Sequence, residues 1–317
     1  MIKIIGGSGF IGSRLKSILN NYVILDKSIE NNTSNNFYCD ITVPSSIEGM
    51  INKNDTVILL AAEHKDNVKP ISKYYETNVI GTKNILNEMD KVGCKRLIFT
   101  SSVAIYGLNK NNPSENYKAD PFNHYGKSKY QAENIIMEWY NVEPNSKFVT
   151  IIRPSVVFGE GNRGNVYNLL RQIYIGKFIL IGNGKNKKSM AYVGNLVDFI
   201  KFKINDPLGN FEIYNYTDYP DLTMLSLVEI IKKTTKIKTP SFKIPIFIGL
   251  LAGYIFDFIS YVIKKDLTIS SIRIKKFIAT TQFNSTKIHS IKNWKSPYTL
   301  KEGLKRTLDY EFNKIKE

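Results

Sequence analysis

Cysteine is almost missing from this chain of 317 residues: Cys39 and Cys94 are isolated and lack metal-ligand spacing. Histidine is as scarce, and His64, His124 and His289 form no cluster. A disulfide-stapled framework is therefore excluded, and a reducing compartment with no metal is predicted. Acid is short as well, with 28 Asp and Glu against 44 Lys and Arg and a formal net charge of +16. Three explanations compete for that excess: nucleic acid, an anionic membrane surface, or a lysine-rich genome that leaves solvated lysines everywhere. Nothing before residue 240 is long or apolar enough to span a bilayer, and strand chemistry begins at Ile2 without a signal-peptide pattern, so a cytosolic start is expected. There is no internal repeat and no low-complexity linker. With 43% hydrophobic residues the chain can form a sizeable core, as one large domain or as two that share a cleft.

What is present is organised around the opening stretch from Met1 to Leu15. The apolar run after Met1 breaks into Gly6, Gly9 and Gly12, spaced three apart, with Phe10 and Ile11 between the last two. The spacing predicts a strand, a phosphate-cradling turn and a helix to about Asn20. One glycine permits the sharp turn, one lets the backbone approach a pyrophosphate, and one lets the helix pack close to the sheet. The free N–H groups at the helix start then face the anion. Tyr22 to Asp26 reads as a second strand ending in an acid. An acid there accepts hydrogen bonds from an adenosine ribose and repels a 2′-phosphate, which favours NAD over NADP; Lys27 beside it weakens that preference a little.

Further strands are predicted at 37–41, 55–62, 95–102 and 148–153, with a long helix from Ile71 to Val92 carrying Asn78 and Asn84. The run from Asp55 to Ala62 is fully apolar between polar bounds, as a strand buried on both faces should be. Strands alternating with helices imply an α/β fold, a Rossmann-like doubly wound parallel sheet with ligands at the carboxyl ends of its strands. Gly6, Asp26, Asp40, Ala61 and Ser102 all fall at such ends. Beyond Pro154 the pattern loosens. A helix is expected from Asn165 to Ile175, a short strand at 178–182 and a basic turn at 185–188, as a smaller α/β lid. Residues 1–160 are accordingly expected to form the cofactor domain, with a return segment near 190–215, and residues 161–317 mainly the substrate side.

The chemistry centres on Ser102 and on Tyr125-Gly-Lys-Ser-Lys129. On a helix Tyr125 and Lys129 lie one turn apart on one face. The Lys129 ammonium, together with a positive nicotinamide ring, stabilises a tyrosinate and lowers the phenol toward neutrality. Ser102 at a strand end can hold the reacting hydroxyl and pass a proton. Such a set moves a proton off an alcohol while a hydride goes to NAD.

With these pieces in this order, the chain resembles the extended short-chain dehydrogenase/reductase family, in its nucleotide-sugar epimerase branch, over nearly its whole length. The matching stretches are Gly6 to Gly12, Asp40-Ile41, Leu60-Ala61-Ala62, Asn78 to Thr82, Thr100 to Gly107, Tyr125 to Lys129, Arg153-Pro154 and Tyr192 to Leu196, with Phe283 to Lys287 and Leu300 to Leu304 near the end. The resemblance implies cofactor contacts at Gly6, Gly9, Phe10, Ile11, Gly12 and Asp26. It also implies adenine contacts by Asp40 and Ile41, and contacts at Leu60, Ala61, Ala62 and Asn78. Ser102, Tyr125 and Lys129 are implied as catalytic, the last two touching the cofactor as well. A sugar 4,6-dehydratase of this family needs an acid pair directly after the serine; here Val103 and Ala104 stand there. That leaves 4-epimerisation with NAD regenerated each turnover, and a net dehydrogenase would use the same triad. Val103 is then a substrate-side residue. By similarity Asn165 and Lys188 fall where related epimerases hold a diphosphate, with Arg273 a looser candidate; each can equally be a helix cap or a solvated cation.

One departure and one segment bear on the substrate. Where the family often has Arg-Pro-aromatic-Asn, this chain has Arg153-Pro-Ser-Val156, which removes a nucleotide contact. The stretch from Lys243 to Lys265 is strongly apolar, interrupted by Pro245 and Asp257 and followed by Arg273, Lys275 and Lys276. An apolar helix edged by lysines suits the bilayer interface, so residues 243–276 are expected to associate with an anionic membrane surface. The alternatives are a lid helix packed on the core or a homodimer contact. The stretches Ala61 to Asn67, Tyr106 to Lys110, Asp120 to Lys129, Phe158 to Leu170 and Ser189 to Asn195 resemble family members whose N-acetylglucosamine is carried on undecaprenyl diphosphate. The expectation is a lipid-linked amino-sugar 4-epimerase, peripheral at the cytoplasmic face of the bacterial inner membrane, supplying a surface polysaccharide. Its rivals are a soluble UDP-sugar 4-epimerase and a non-catalytic NAD-sensing regulator. No nucleic-acid partner is expected, because helix-turn-helix patterning and aromatic-basic interleaving are absent.

Overall fold

Short β-rich runs bounded by polar residues build the main sheet. β1 (Ile2–Ile5), β2 (Tyr22–Asp26), β3 (Asn36–Tyr38), β4 (Thr56–Leu59), β5 (Arg96–Thr100), β6 (Phe148–Pro154) and β7 (Phe211–Tyr216) pair in the spatial order β7-β6-β5-β4-β1-β2-β3. Every pairing is parallel. The order reverses between β1 and β4, and an open α/β sheet binds its ligands at such a switch point. The computed structural model describes residues 1–65, 68–205, 209–237, 243–265, 267 and 270–313. Asp66 and Asn67, residues 206–208 of the return segment, residues 266, 268 and 269 of the apolar segment and the Lys276 side chain lie outside that description.

Alternation along the strands feeds two cores. Ile5, Leu25, Leu59, Phe99 and Ile151 point to one face, with Ile85, Met89 and Ile136 of the covering helices. Ile4, Ile58, Ile98 and Ile152 point to the other, and there the core runs without a break into Phe158, Leu170, Tyr192, Leu227, Leu304 and Phe312 of the second half. Helix Val193–Asn205 covers this face and leads into β7, so the chain after residue 160 also completes the sheet.

Several elements differ from the sequence expectation. The first helix is Phe10–Lys16 and stops before Asn20, where the Ser17 hydroxyl donates to the Arg14 carbonyl at 2.7 Å. β3 ends at Tyr38 because the Asp40 N–H turns to Ser46 Oγ at 3.0 Å and leaves the ladder. The helix expected from Ile71 to Val92 is Ser72–Tyr75, a π turn Glu76–Ile80, and Gly81–Val92. The expected basic turn contributes Lys187–Lys188 to a small antiparallel pair with Leu222–Thr223.

The apolar C-terminal segment forms helix Ile246–Ile263. Pro245 precedes it, and strand Lys243–Ile244 pairs with Leu180–Ile181. It touches the rest of the chain along a narrow seam with a spacing of four. A Cβ on Gly249 would stand 2.7 Å from Ile181, and one on Gly253 would stand 2.8 Å from Ser271 Cα. Asp257 accepts the Ser271 N–H at 3.2 Å, which holds helix Ser271–Ile278 alongside.

Candidate active site

The glycine turn fits its expected ligand. Gly6 has φ +82, and a Cβ there would lie 2.5 Å from the Ala61 nitrogen, so the turn runs against the end of β4 with no room for a side chain. A Cβ on Gly12 would lie 2.5 Å from Gly7 Cα, which ties the helix to the turn. Gly9 caps that helix without a side-chain bond, leaving the first N–H groups for an anion. Phe10 and Ile11 pack their side chains on the core and present backbone to the turn. Asp26 stands beside it: its Oδ2 accepts the Ser8 N–H at 3.0 Å and its Oδ1 accepts from Ser28. A dinucleotide pyrophosphate and ribose require this cradle and this acid.

The neighbouring candidates are placed as follows. Asp40 Oδ1 accepts from the Thr42 N–H at 2.9 Å and from its hydroxyl at 2.8 Å. Ile41 buries its side chain against Gly81, leaving its backbone as the polar element. Leu60 and Ala61 both donate to the Ile5 carbonyl, at 2.8 and 3.0 Å, and Ala62 follows half-buried at the sheet edge. Asn78, buried in the π turn, is committed within the protein. It accepts from the Glu63 N–H at 2.8 Å and donates to the Glu63 carbonyl and to Ser128 Oγ, so it joins the loop after β4 to the Tyr125 helix. At the ends of β5 and β6, Ser101 Oγ and Ser155 Oγ are buried without a hydrogen-bond partner among the described residues. Polar ligand atoms at this edge would answer such groups.

Ser102, Tyr125 and Lys129 come together at that edge. Ser102 ends β5 and caps the short turn Val103–Tyr106, its Oγ accepting the Ala104 N–H at 3.1 Å. Helix His124–Val142 begins with Asn123 Oδ1 accepting the Gly126 N–H at 2.8 Å. A Cβ on Gly126 would lie 2.6 Å from the Ala104 carbonyl, so this glycine lets the helix start rest on the Ser102 turn. The Ser102 hydroxyl is thereby brought close enough to the Tyr125 phenol to favour its ionised form. Lys129, one turn on, is 1% exposed with its Nζ 4.1 Å from the centre of the Phe99 ring.

Electrostatics qualify the sequence reading. Burial pushes the Tyr125 phenol up, and the Ser102 hydroxyl pulls it the other way. Burial also pushes Lys129 down to about 7, against the pull of Glu133. In the chain alone, therefore, Lys129 does not bring the phenol to neutrality; a further positive charge beside Tyr125 is needed.

The substrate-side candidates are more scattered. Val103 is buried in a small cluster with Ile105 and Tyr106, packed by Ala119 and Phe283. Asn165 is exposed as the first residue of helix Asn165–Tyr174. The loop before it is held firmly: Arg14 donates to the Glu160 carbonyl at 2.6 Å, Tyr192 to Glu160 Oε1 at 2.9 Å, and Gly161 N–H to Glu311 at 2.7 Å. Lys188 donates to the Ala279 carbonyl at 2.6 Å, at the C-terminal end of helix Ser271–Ile278, and burial pushes it down to about 8. Arg273, on that helix, is exposed and donates to the Leu267 carbonyl at 3.2 Å.

Sequence reasoning missed the groups under the triad. Arg153, Glu133, Tyr106 and Asn215 form one buried network. The available signal was a charged residue inside the apolar run of β6, which a buried strand tolerates only with a partner.

Residues 2–216 match the NAD dependent epimerase/dehydratase family. The chain is 51% identical over 98% of its length, and 95% of the other's, to the N-acetyl-alpha-D-glucosaminyl-diphospho-ditrans,octacis-undecaprenol 4-epimerase of Escherichia coli O157:H7. It is 27% identical over 96% of its length, and 94% of the other's, to a UDP-glucose 4-epimerase of Vibrio cholerae. In fold it is similar to the UDP-glucose 4-epimerase of Thermotoga maritima solved with UDP-glucose, with TM-score 0.76, 24% identity, and 100% and 99% of the two chains covered. The same holds for the UDP-glucose 4-epimerase of Thermus thermophilus in complex with NAD, with TM-score 0.72, 18% identity and 98% of each chain covered. The glycine cradle, the acid at the end of β2 and the approach of Ser102 to the helix of Tyr125 and buried Lys129 thus coincide with a match running through the whole sheet, and the chain belongs to the NAD dependent epimerase/dehydratase family.

Proposed function

We propose that this chain is an NAD-dependent 4-epimerase that converts N-acetylglucosamine to N-acetylgalactosamine while the sugar is carried on undecaprenyl diphosphate, for a surface polysaccharide such as O-antigen. Residues 1–160 hold the cofactor, and residues 161–317 mainly meet the substrate. Bound NAD supplies a reversible hydride store for C4 of the sugar and a positive ring beside Tyr125. The observation that carries the reading is the start of the Tyr125 helix resting on the Ser102 turn, with Lys129 buried one turn on and Val103 and Ala104 directly after the serine. Tyr125 takes the proton of the C4 hydroxyl and returns it, Ser102 orients that hydroxyl, and Lys129 steadies the phenolate. No carboxyl stands next to Ser102 in sequence to remove a C5 proton, so elimination of water has no base or acid there. The lipid carrier is supported by the 51% identical relative, by Val156 in place of the family's asparagine, and by the exposed apolar helix Ile246–Ile263. The same helix supports peripheral attachment to the inner membrane.

The test is direct. Purified protein is incubated with N-acetylglucosaminyl-diphospho-undecaprenol in detergent and, separately, with UDP-N-acetylglucosamine and UDP-glucose, and the released sugar is identified. N-acetylgalactosamine from the lipid-linked donor is expected. Turnover of a UDP-sugar with none of the lipid-linked sugar would overturn the assignment.

A further inference from the structure

Beneath the Tyr125 helix lies a buried ion pair with no part in moving the proton. Glu133 stands one turn beyond Lys129, and Arg153 takes both its oxygens, Nε to Oε1 at 2.9 Å and Nη2 to Oε2 at 2.6 Å. Both side chains are buried. The remaining arm, Nη1, donates to the Tyr106 hydroxyl at 2.7 Å and to the Glu115 carbonyl at 2.9 Å. Tyr106 donates in turn to Asn215 Oδ1 at 2.7 Å. Asn215 holds the Pro113 and Asn284 carbonyls. Tyr106 closes the short turn that Ser102 opens, so the pair links the helix of Tyr125 and Lys129 to the turn of Ser102.

Stability alone is a weak reason for this arrangement, because desolvation offsets most of the attraction in a buried pair. The two-pronged fork does fix orientation, since both hydrogen bonds form at one relative placement of helix and strand. Charge supplies a second role. Among the described residues no carboxylate ion-pairs with Lys129; Glu133 is the charged group that acts on it. Arg153 neutralises that carboxylate. The other titratable groups packed on this helix are accounted for elsewhere. Tyr75 hydrogen-bonds His124 at the helix start, Asp90 accepts from Trp139 and pairs with Lys147 near its end, and burial pushes Tyr106 up to about 12.

We propose that Glu133 and Arg153 are positioning residues of the site, a neutral pair that holds Tyr125 and Lys129 against Ser102 without adding net charge beneath them. The proposal rests on Tyr125 as the proton-moving group, and it is independent of which sugar donor is used.

Its test needs no substrate. Purified full-length protein loaded with NAD is titrated by near-ultraviolet tyrosinate absorbance, and the component missing in Tyr125→Phe gives the Tyr125 midpoint. Glu133→Gln leaves Arg153 unbalanced and should lower that midpoint by about one pH unit. Arg153→Met leaves the carboxylate unbalanced and should raise it by about as much. The double variant should return toward the parent, and Arg153→Lys, which keeps the charge but loses the fork, should move the midpoint by less than Arg153→Met does. Shifts of the same sign in both single variants, or none in either, would overturn the proposal. If Arg153→Met does not fold, Glu133→Gln with Arg153→Lys decides: an unmoved midpoint in the first, or one raised in the second as far as charge loss would raise it, overturns it.

Discussion

At the scale of residues, the most consequential property is that Lys129 is buried over a ring with no anion of its own. Burial holds it at about 7 against a usual 10.5. Below pH 7 the folded and unfolded chains are both protonated at this site, and the fold carries the full cost of a buried ammonium. Between 7 and 10.5 the unfolded chain keeps a proton that the folded chain has lost, so stability rises with pH through that window. At about 1.4 kcal/mol for each pH unit of that displacement, the low-pH cost is several kcal/mol. Lys129→Met should therefore raise the urea midpoint of the NAD-free chain at pH 6 and raise it much less at pH 9. A gain that does not depend on pH would show that packing, and not charge, sets the difference. That Ser102, Tyr125 and Lys129 would meet at one sheet edge was legible because they follow a glycine turn and an acid in family order. Glu133 and Arg153 were not legible as partners. Twenty positions of sequence separate them, and only antiparallel packing of helix His124–Val142 on β6 brings guanidinium to carboxylate.

At the scale of elements, periodicity announced the strands and most helices, while the departures come from single side chains that outcompete the ladder. Ser46 draws the Asp40 N–H away and ends β3 early, and no window of hydrophobicity contains that information. The π turn Glu76–Ile80 is similar: with one extra residue in the turn, Asn78 is buried against Glu63 and Ser128, and a wide turn of this kind is common at functional sites. Helix Ile246–Ile263 was recognised by its apolar run, but its seam was not, because Ile181 and Ser271, which close on Gly249 and Gly253, lie elsewhere in the sequence. Filling the seam should therefore separate the two C-terminal helices. Gly253→Val would put its Cβ 2.8 Å from Ser271 Cα, a backbone atom that cannot yield like a side chain. The expected cost is about 1–3 kcal/mol. It should be confined to this region: hydrogen exchange of amides in 246–278 should accelerate while amides of β1, β4 and β5 keep their protection. Equal protection of 246–263 in the parent and the variant would mean that the glycine seam does not hold the helix.

At the scale of the whole molecule, the excess of lysine and the exposed helix become one question. The helix is long and apolar enough to cross a bilayer. Its length is about 27 Å at 1.5 Å per residue. It is tied to the protein by the strand pair at Lys243–Ile244 and by the Asp257–Ser271 bond to helix Ser271–Ile278, which suits the proposed attachment along a surface better than a crossing. Its outer face is unpacked, with Phe247, Phe258 and Tyr261 exposed at 71%, 67% and 82%. Lys243, Lys264, Lys265, Arg273 and Lys275 are exposed around it. On the proposed membrane attachment, apolar insertion and attraction to anionic headgroups would act together, the second adding about 1 kcal/mol per cation near the surface. Salt separates the two contributions, because raising it from about 0.1 M to 1 M shortens the screening length from roughly 10 to 3 Å and leaves apolar burial intact. The full chain should thus float with vesicles rich in phosphatidylglycerol, bind neutral phosphatidylcholine vesicles less, and lose part of its binding in high salt. Replacing Phe247, Leu251 and Phe258 with serine should abolish binding to both while leaving the Tyr125 titration unchanged. If instead the parent chain stays unbound and sediments as a dimer that the triple variant loses, the face is a contact between copies. The lipid-linked substrate would then have to reach Tyr125 without help from this helix.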